Sequence, residues 1–296
     1  MTVRLINAAL RLTDLGSRFL LAIFMARFMT LEDVGTFALM AGAAGLLPPV
    51  AGLGLNFFMA RQLVGIGHDD AVRLVGARLA ISVAAGACCM GILLGLEGAG
   101  LVALPIPLWL AVAILMLELL GLDVQVALVA RSRSNFANML LFLRNGAWVL
   151  PFMVAAFVDT GFRSIEVLAW FWLAGLAASH LLLFLTNRLD AVAMLQKHGL
   201  GSRSFLSSVG AGTAKIYLSD LGLAGSVYLD RFIISAMLDV RAAGVFFFFA
   251  SIINSAYVIC QAATIQVFQP QLRAAWLAGG FGGLQLALRD RFRTTV

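Results

Sequence analysis

Four basic side chains lie inside long apolar stretches of this chain, where a charge is costly and usually has a function. They are Arg18, Arg144, Lys215 and Arg231. Guanidinium groups bind phosphate oxygens through paired, charge-assisted hydrogen bonds. A cavity lined by several such groups would attract a diphosphate, and we expect Arg18, Arg144 and Lys215 to be its ligands. This chemistry needs no covalent step, so we expect no enzyme and no catalytic residues.

Structural roles compete with binding at two of these positions. Asp14 precedes Arg18 by four residues, which is the spacing of a salt bridge along one helix. Arg144 has no acidic residue at helical spacing, and Trp148 lies one turn later. The Arg144 guanidinium is therefore expected to stack on an aromatic ring or to face a watery cavity.

Several charged residues are expected to hold or gate parts of the bundle rather than to bind a substrate. Asp220 lies near Lys215 in a glycine-rich segment that predicts a bent helix. Asp230 and Arg231 are adjacent and point to different sides of their helix. The residues assigned to pairing or gating are Asp14, Asp220, Asp230 and Arg231.

Further charges occupy the third and fourth apolar stretches. Arg78 lies about one turn into its helix and is expected to snorkel to the cytoplasmic surface. Asp123 is expected to pair with Arg131, two turns along. Glu118 is a candidate for ion coupling.

The histidines and cysteines predict no metal site and no cofactor. His68, His180 and His198 are far apart in the sequence and have no Cys or His neighbour at ligand spacing. Cys88, Cys89 and Cys260 all fall in apolar segments. We interpret these cysteines as small apolar packing residues.

The elements that position these residues must be membrane helices. Of the 296 residues, 61% are hydrophobic and only 12% are charged, which excludes a soluble domain. The alternation typical of a membrane barrel is absent, so the expected fold is all-α. Eight segments reach spanning length. They are 12–30, 34–60, 74–96, 101–130, 138–158, 166–187, 205–237 and 241–269.

Basic residues predict the orientation of these spans. Arginine and lysine collect before the first span and after the second, fourth, sixth and eighth spans. The opposite loops are short and mainly acidic. Because cytoplasmic loops retain positive charge, both termini are predicted to be cytoplasmic. The basic excess is explained by topology and does not indicate binding of nucleic acid.

An internal repeat links the two ends of the chain. An offset of 209 residues places the segment Leu15–Leu20 on Ala224–Leu229, Gly35 on Gly244 and Phe37 on Phe246. Each copy predicts a helix, a tight charged turn and a second helix that starts with glycine and an aromatic residue. The glycines are expected to permit the sharp turn. Six spans separate the copies, so both have the same orientation.

These stretches resemble a known family. The segment Ala26–Phe37, with Ala-Arg, a turn, an acidic pair, glycine and an aromatic residue, is similar to the first hairpin of the multidrug/oligosaccharidyl-lipid/polysaccharide exporter superfamily. The Asp-Arg pattern of Tyr228–Ile234, followed by Gly244, is similar to the start of its second lobe. Within it, the chain resembles the O-antigen flippase-like membrane proteins of polysaccharide biosynthesis.

The resemblance implies two six-helix bundles, of which this chain would supply the first and two helices of the second. The implied divisions are a six-helix lobe at 1–190, a cytoplasmic linker at 191–204, the first helices of a second lobe at 205–272 and a basic cytoplasmic tail at 273–296. About four further spans are expected beyond this sequence, as in a C-terminally truncated product.

The implied function is transport of undecaprenyl-diphosphate-linked sugars across the inner, or plasma, membrane by alternating access. Expected partners are the lipid-linked sugar, membrane lipid, and a polymerase and glycosyltransferases of the same pathway. Three alternatives stay open: a cation-coupled multidrug efflux protein, a membrane glycosyltransferase or ligase, and an inactive remnant. Embedded carboxylates favour the first of these alternatives, whereas the short outer loops disfavour the second.

Overall fold

The computed structural model describes residues 2–64, 66–100, 105–198, 212–254, 280–282 and 285 of the 296. Within these ranges the ordered elements are helices. They are α1 (Thr2–Phe28), α2 (Leu31–Gly52), α3 (Leu55–Gln62), α4 (His68–Gly98), α5 (Leu108–Ala130), α6 (Ser134–Asn145), α7 (Val149–Val158), α8 (Ile165–His198), α9 (Gly212–Met237) and α10 (Val240–Asn254), with a short 3-10 turn at Thr160–Phe162. The described residues up to Phe248 form one compact unit, which contains every contact described below.

Five stretches of the described residues are long and apolar enough to cross a membrane. They are Leu31–Gly52, His68–Gly98, Leu108–Ala130, Ser134–Val158 and Ile165–Thr186. The chain is therefore a helical membrane protein, as expected. The count of eight spans stays a prediction, because the charged helices α1 and α9 are not among the five and parts of 205–237 and 241–269 lie outside the described residues.

Two of the predicted spans are broken helices. The second is divided into α2 and α3 at Leu53 and Gly54, which have left-handed backbone angles of φ 50° and 68°. Pro48 and Pro49 lie inside α2 and do not end it, and the break occurs only after them. The fifth predicted span is divided into α6 and α7 around Gly146. Helix breaks free backbone groups inside the bundle and are common where membrane proteins bind ions or substrates.

Aromatic residues mark the bundle core and one membrane boundary. Phe37 and Phe152 are buried in a cluster built from α1, α2, α5, α7 and α8. Trp109 and Trp170, at the starts of α5 and α8, are exposed and pack edge to face with ring centroids 5.2 Å apart. Exposed tryptophans of this kind favour the membrane–water boundary, so both helices begin at the same side.

Helix α9 packs along α2 through glycines. A Cβ atom added to Gly42 would lie 3.0 Å from the Phe232 ring, and one added to Gly45 would overlap the Tyr228 ring. Large rings on α9 therefore fill the space that the glycines of α2 leave open. Small residues permit this close packing of membrane helices.

The tips of the α1–α2 and α9–α10 hairpins contact each other reciprocally. A Cβ on Gly35 would overlap the carbonyl of Val240, and a Cβ on Gly244 would lie 2.5 Å from the carbonyl oxygen of Leu31. The repeat offset of 209 residues matches Gly35 with Gly244 and Leu31 with Val240. The second contact is therefore the first one with the two hairpins exchanged. The expectation that these glycines form turns is wrong, because both lie inside helices and permit close approach instead.

The helix starts in the two hairpins are capped in the same way. Thr30 Oγ1 accepts a hydrogen bond of 3.1 Å from the backbone N–H of Asp33, and Asp239 Oδ1 accepts one of 2.6 Å from that of Ala242. These positions again differ by 209. Side-chain capping satisfies a backbone donor that the first turn leaves free.

Candidate functional site

Arg144 is the best-placed of the predicted site residues. It lies in the last turn of α6, just before the break at Gly146, and only 7% of its surface is exposed. Its Nε atom is 3.2 Å from Oε2 of Glu118 on α5, within ion-pair distance but without hydrogen-bond geometry. Nη2 donates a long hydrogen bond of 3.3 Å to Oε1 of Gln125. The guanidinium is thus neutralised by a carboxylate on another helix. Residue spacing along one helix could not reveal this partner.

Two indole rings hold the Glu118–Arg144 pair in place. Trp172 Nε1 on α8 donates a 2.9 Å hydrogen bond to Glu118 Oε1. Trp148 Nε1 donates a 3.0 Å hydrogen bond to the backbone carbonyl of Arg144. The two rings are stacked, with centroids 6.2 Å apart. Trp148 therefore contacts the backbone of Arg144, and its ring stacks on Trp172 instead of on the guanidinium.

Helix α1 brings two more charges near this pair. Asp14 and Arg18 lie within electrostatic range of Arg144. Gly146 permits this approach, because a Cβ there would lie 3.0 Å from Ser17 Oγ and 3.3 Å from the Asp14 Cα. Arg18 Nε is 3.7 Å from Asp14 Oδ1, and this is the salt bridge for which their spacing along the helix is suited. The Arg18 side chain is 54% exposed.

A cleft between α5, α6 and α8 opens beside Arg144. Gly121, Gln125, Ser179 and His180 line it together with Arg144 and apolar side chains. Gly121 leaves the room for the guanidinium, because a Cβ there would lie 2.5 Å from Arg144 Nη1. The empty space of the cleft is about 280 Å³ including the solvent at its open side, and the room inside it is about that of one water-sized sphere.

His180 adds a second polar group to the cleft wall. Its Nδ1 atom lies 2.9 Å from the backbone carbonyl oxygen of Leu176. A carbonyl only accepts, so Nδ1 carries a proton. Nε2 is buried and has no hydrogen-bond partner within the described part of the chain.

A second buried ion pair joins α3, α4 and α5. Arg78 is 0% exposed, and its Nη2 donates a 3.1 Å hydrogen bond to Oδ1 of Asp123. Its Nε donates a 3.0 Å bond to Oδ1 of Asn56, in the first turn after the helix break. Ser82 Oγ donates to the other carboxylate oxygen of Asp123.

This second pair corrects two expectations. Arg78 does not snorkel to the surface, because Asp123 and Asn56 supply partners inside the bundle. Asp123 does not pair with Arg131, whose Nη1 instead donates a 2.8 Å hydrogen bond to the backbone carbonyl of Ile66.

The charged residues of α9 lie apart from the Arg144 group. Lys215 and Asp220 are exposed, and neither forms a hydrogen bond or ion pair with a described residue. Arg231 lies over the rings of Tyr228 and Phe247, 5.4 and 5.3 Å from their centroids, while Asp230 accepts from the Arg231 backbone N–H. Of the predicted diphosphate ligands, Arg18 lies within electrostatic range of Arg144, whereas exposed Lys215 forms no hydrogen bond or ion pair with either.

Sequence reasoning did not assign Gln125, Trp172 or His180 to a site. Glu118, Gly121 and Gln125 have the i, i+3, i+7 spacing of a single helix face, which was a usable signal. Trp172 and His180 are eight residues apart on the facing helix α8, but their spacing does not name a partner on α5 or α6. Only the packing of three helices makes them one group.

Among the described residues, no group of three or more His, Cys, Asp or Glu side chains could hold a metal ion. No family model, no curated protein and no solved structure matches this chain.

Proposed function

We propose that this chain is a flippase-type transporter of lipid-linked oligosaccharides, related to the O-antigen flippase-like exporters. Its substrate would be an undecaprenyl-diphosphate sugar, moved across the inner (plasma) membrane by alternating access. The chain would cross the membrane about eight times, with both termini in the cytoplasm. Polysaccharide polymerase and glycosyltransferases would act before and after it.

The reciprocal contact of the two hairpin tips is the observation that carries this proposal. Gly35 meets Val240 and Gly244 meets Leu31, so each hairpin offers the same surface to the other. Contacts of this kind indicate a local two-fold relation between repeats. Parallel repeats that rock against each other are one way to build an alternating-access transporter.

The Arg144 group supplies a chemistry suited to the diphosphate. Arg144 is buried beside a cleft, and Arg18 is in electrostatic range. Guanidinium groups bind phosphate oxygens with two hydrogen bonds at once. In the proposed mechanism, the diphosphate contacts these arginines, the lipid tail stays in the bilayer and no bond is broken.

Cation-coupled multidrug efflux is the less favoured alternative. A cationic substrate would need an embedded carboxylate with free negative charge. Glu118 and Asp123 each lie within 3.2 Å of an arginine nitrogen, and both are therefore neutralised. Asp220 is exposed on α9.

The direct test is a flipping assay in proteoliposomes with a fluorescent undecaprenyl-diphosphate sugar. The complete chain is expected to move the labelled lipid between leaflets, whereas liposomes without protein do not. Export of a cationic dye with no movement of the lipid would replace this proposal with the efflux alternative.

Cross-linking the hairpin tips tests alternating access. Arg241 Nη2 and Glu32 Oε2 are 3.8 Å apart, and both side chains are about two-thirds exposed. In a background without Cys88, Cys89 and Cys260, Glu32→Cys with Arg241→Cys would be joined by a short bis-methanethiosulfonate reagent. Flipping should stop on cross-linking and return on reduction. Each single variant with the same reagent is the control, and full flipping by the cross-linked protein would contradict the mechanism.

A further inference from the structure

Arg144 uses few of its hydrogen-bond donors. A guanidinium carries five N–H groups. In the described part of the chain, Arg144 donates one side-chain hydrogen bond, to Gln125, and its buried Nε has no hydrogen-bond partner. Buried polar groups are nearly always satisfied, and unsatisfied ones call for a ligand or water. The guanidinium is thus neutralised in charge but incomplete in hydrogen bonding.

The cleft brings a ligand to these donors. Arg144 forms part of its wall, and the cleft has room for about one water-sized sphere beside it. One oxygen of a larger anionic group can therefore enter while the rest of the group remains in the open mouth.

Glu118 does not depend on Arg144 for its position. Its Oε1 accepts the hydrogen bond of Trp172, whereas the contact with Arg144 uses Oε2 and lacks hydrogen-bond alignment. A carboxylate oxygen and a phosphate oxygen offer a guanidinium the same kind of acceptor. Another anion can therefore replace the Glu118 carboxylate at Arg144, and Glu118 still keeps its hydrogen bond from Trp172.

We propose that Glu118 is a built-in competitor that occupies the anion site at Arg144 until a phosphate oxygen of the substrate replaces it. The phosphate group enters the cleft, takes the Arg144 donors, and leaves Glu118 on Trp172. This inference deepens the proposed function and rests on it, because it takes the ligand to be phosphate-bearing.

Gln125 and His180 extend the recognition to hydroxyl groups. Both side chains line the cleft, and each can accept a hydrogen bond: Gln125 through its amide oxygen, and His180 through Nε2 in the tautomer that carries its proton on Nδ1. Such acceptors suit a ligand that carries hydroxyl groups next to its phosphate. A sugar phosphate combines both features.

The test measures binding of inorganic pyrophosphate to the complete purified chain in detergent micelles, by titration calorimetry at low ionic strength. Glu118→Gln should bind pyrophosphate about tenfold more tightly than the unmodified protein, since the competing charge is gone. Arg144→Ala, alone or with Glu118→Gln, should show no saturable binding. Glu166→Gln is the matched control, because Glu166 is an exposed glutamate on α8. Equal or weaker binding by Glu118→Gln would overturn the inference.

Melting temperature gives a second measurement in case Glu118→Gln folds poorly. Pyrophosphate should raise the melting temperature of Glu118→Gln more than that of the unmodified protein, because the added anion replaces the lost carboxylate. A Glu118→Gln protein that pyrophosphate does not stabilise would count against competition and for a purely structural pair. Glu118→Asp keeps the charge but shortens its reach, and an affinity gain smaller than that of Glu118→Gln is expected.

The flipping assay separates failure of this inference from failure of the proposed function. If the unmodified chain flips the lipid-linked sugar but Glu118→Gln gains no affinity for pyrophosphate, only the competitor role is overturned. If Glu118→Gln gains affinity but no lipid is flipped, the competitive anion site stands and the transport proposal falls.

Discussion

The two buried ion pairs contain the same chemical groups but are built differently. Arg78 is fully enclosed and hydrogen-bonds to both Asp123 and Asn56, while Ser82 donates to Asp123. Arg144 lines a cleft, makes one long side-chain hydrogen bond and contacts its carboxylate without alignment. Residue type and burial alone do not distinguish the two arginines.

The difference indicates which pair is structural and which is available to a ligand. A buried pair is stable when its geometry is good and further hydrogen bonds support it, as at Arg78, where only Nη1 has no partner in the described part of the chain and the side chain is fully enclosed. A pair with unused donors next to an opening can exchange its partner at low cost, as at Arg144. The surroundings of an embedded charge thus decide its role more than the charge itself.

The largest expected effect is the loss of stability on breaking the Arg78 pair. Asp123→Asn should lower the free energy of unfolding by about 3–5 kcal/mol, because it leaves a buried guanidinium without a counter-charge. Glu118→Gln should cost distinctly less, since water and buffer anions reach Arg144 through the cleft. Unfolding in mixed detergent and SDS micelles measures both, and equal costs would remove the proposed difference.

Exchanging the whole Arg78 pair for apolar residues is the control for this prediction. Arg78→Met combined with Asp123→Leu should be near neutral or stabilising, because no buried charge remains. A large loss in the double variant would mean that the pair itself is needed for the fold.

Transport should depend on Arg144 and not on Arg78. Arg144→Ala is expected to reduce flipping by about tenfold to hundredfold at matched membrane abundance, the scale of one charged hydrogen-bonding group. Arg144→Lys should recover part of the loss, as lysine cannot bind in the paired geometry of arginine. The Arg78→Met, Asp123→Leu double variant should still flip the lipid.

Arg18→Ala tests how far the anion site extends toward α1. Arg18 is half exposed and paired with Asp14, so its loss should reduce flipping less than the loss of Arg144. Unchanged flipping in both the Arg18→Ala and Arg144→Ala variants would remove the anion site from the mechanism.

Two glycines offer a matched test of the space around each arginine. Gly121→Ala would place a Cβ 2.5 Å from Arg144 Nη1, whereas Gly52→Ala would place one 3.6 Å from Arg78 Nη2, an ordinary contact. Gly121→Ala should therefore cost about 1–3 kcal/mol and weaken pyrophosphate binding, and Gly52→Ala should change stability by about 0.5 kcal/mol or less. Unfolding measurements and calorimetric titrations with pyrophosphate compare the two variants. Similar losses of stability and affinity in both would refute this prediction.

The smallest expected effect concerns the anchor of Glu118. Trp172→Phe keeps the ring but removes the N–H that donates to Glu118, at a cost of about 1 kcal/mol in unfolding free energy. Trp170→Phe is the control, since Trp170 is exposed and packs on Trp109. A loss no greater for Trp172→Phe than for this control would argue against an anchored carboxylate.

Much of the fold was predictable because it depends on local composition. Apolar length predicted that long stretches of the chain are membrane helices. The 209-residue repeat matched Gly35 with Gly244, and the structure shows that these two residues lie against each other. The repeat did not reveal that these glycines permit close helix packing and not a turn, because both roles favour a residue that has no side chain.

The candidate site was predictable only in part. Arg144 stood out as an embedded charge, and its neighbour Trp148 was visible at helical spacing. Its counter-ion, Glu118, was assigned to another role, and Arg78 was placed at the surface although it is fully buried. Spacing along one helix identifies partners three or four residues apart, whereas Arg78 and Asp123 are 45 residues apart.

The sequence by itself determined that this protein is a bundle of apolar membrane helices with a few embedded charges, because lipid leaves the backbone no other way to satisfy its hydrogen bonds. The tertiary structure decided which charges neutralise each other and which donors remain unused. Those choices depend on how α5 packs against α4, α6 and α8, and helix packing is set by the shapes of many side chains at once. The distinction between Arg78, which is fully enclosed, and Arg144, which is buried beside a cleft, therefore arises only in three dimensions.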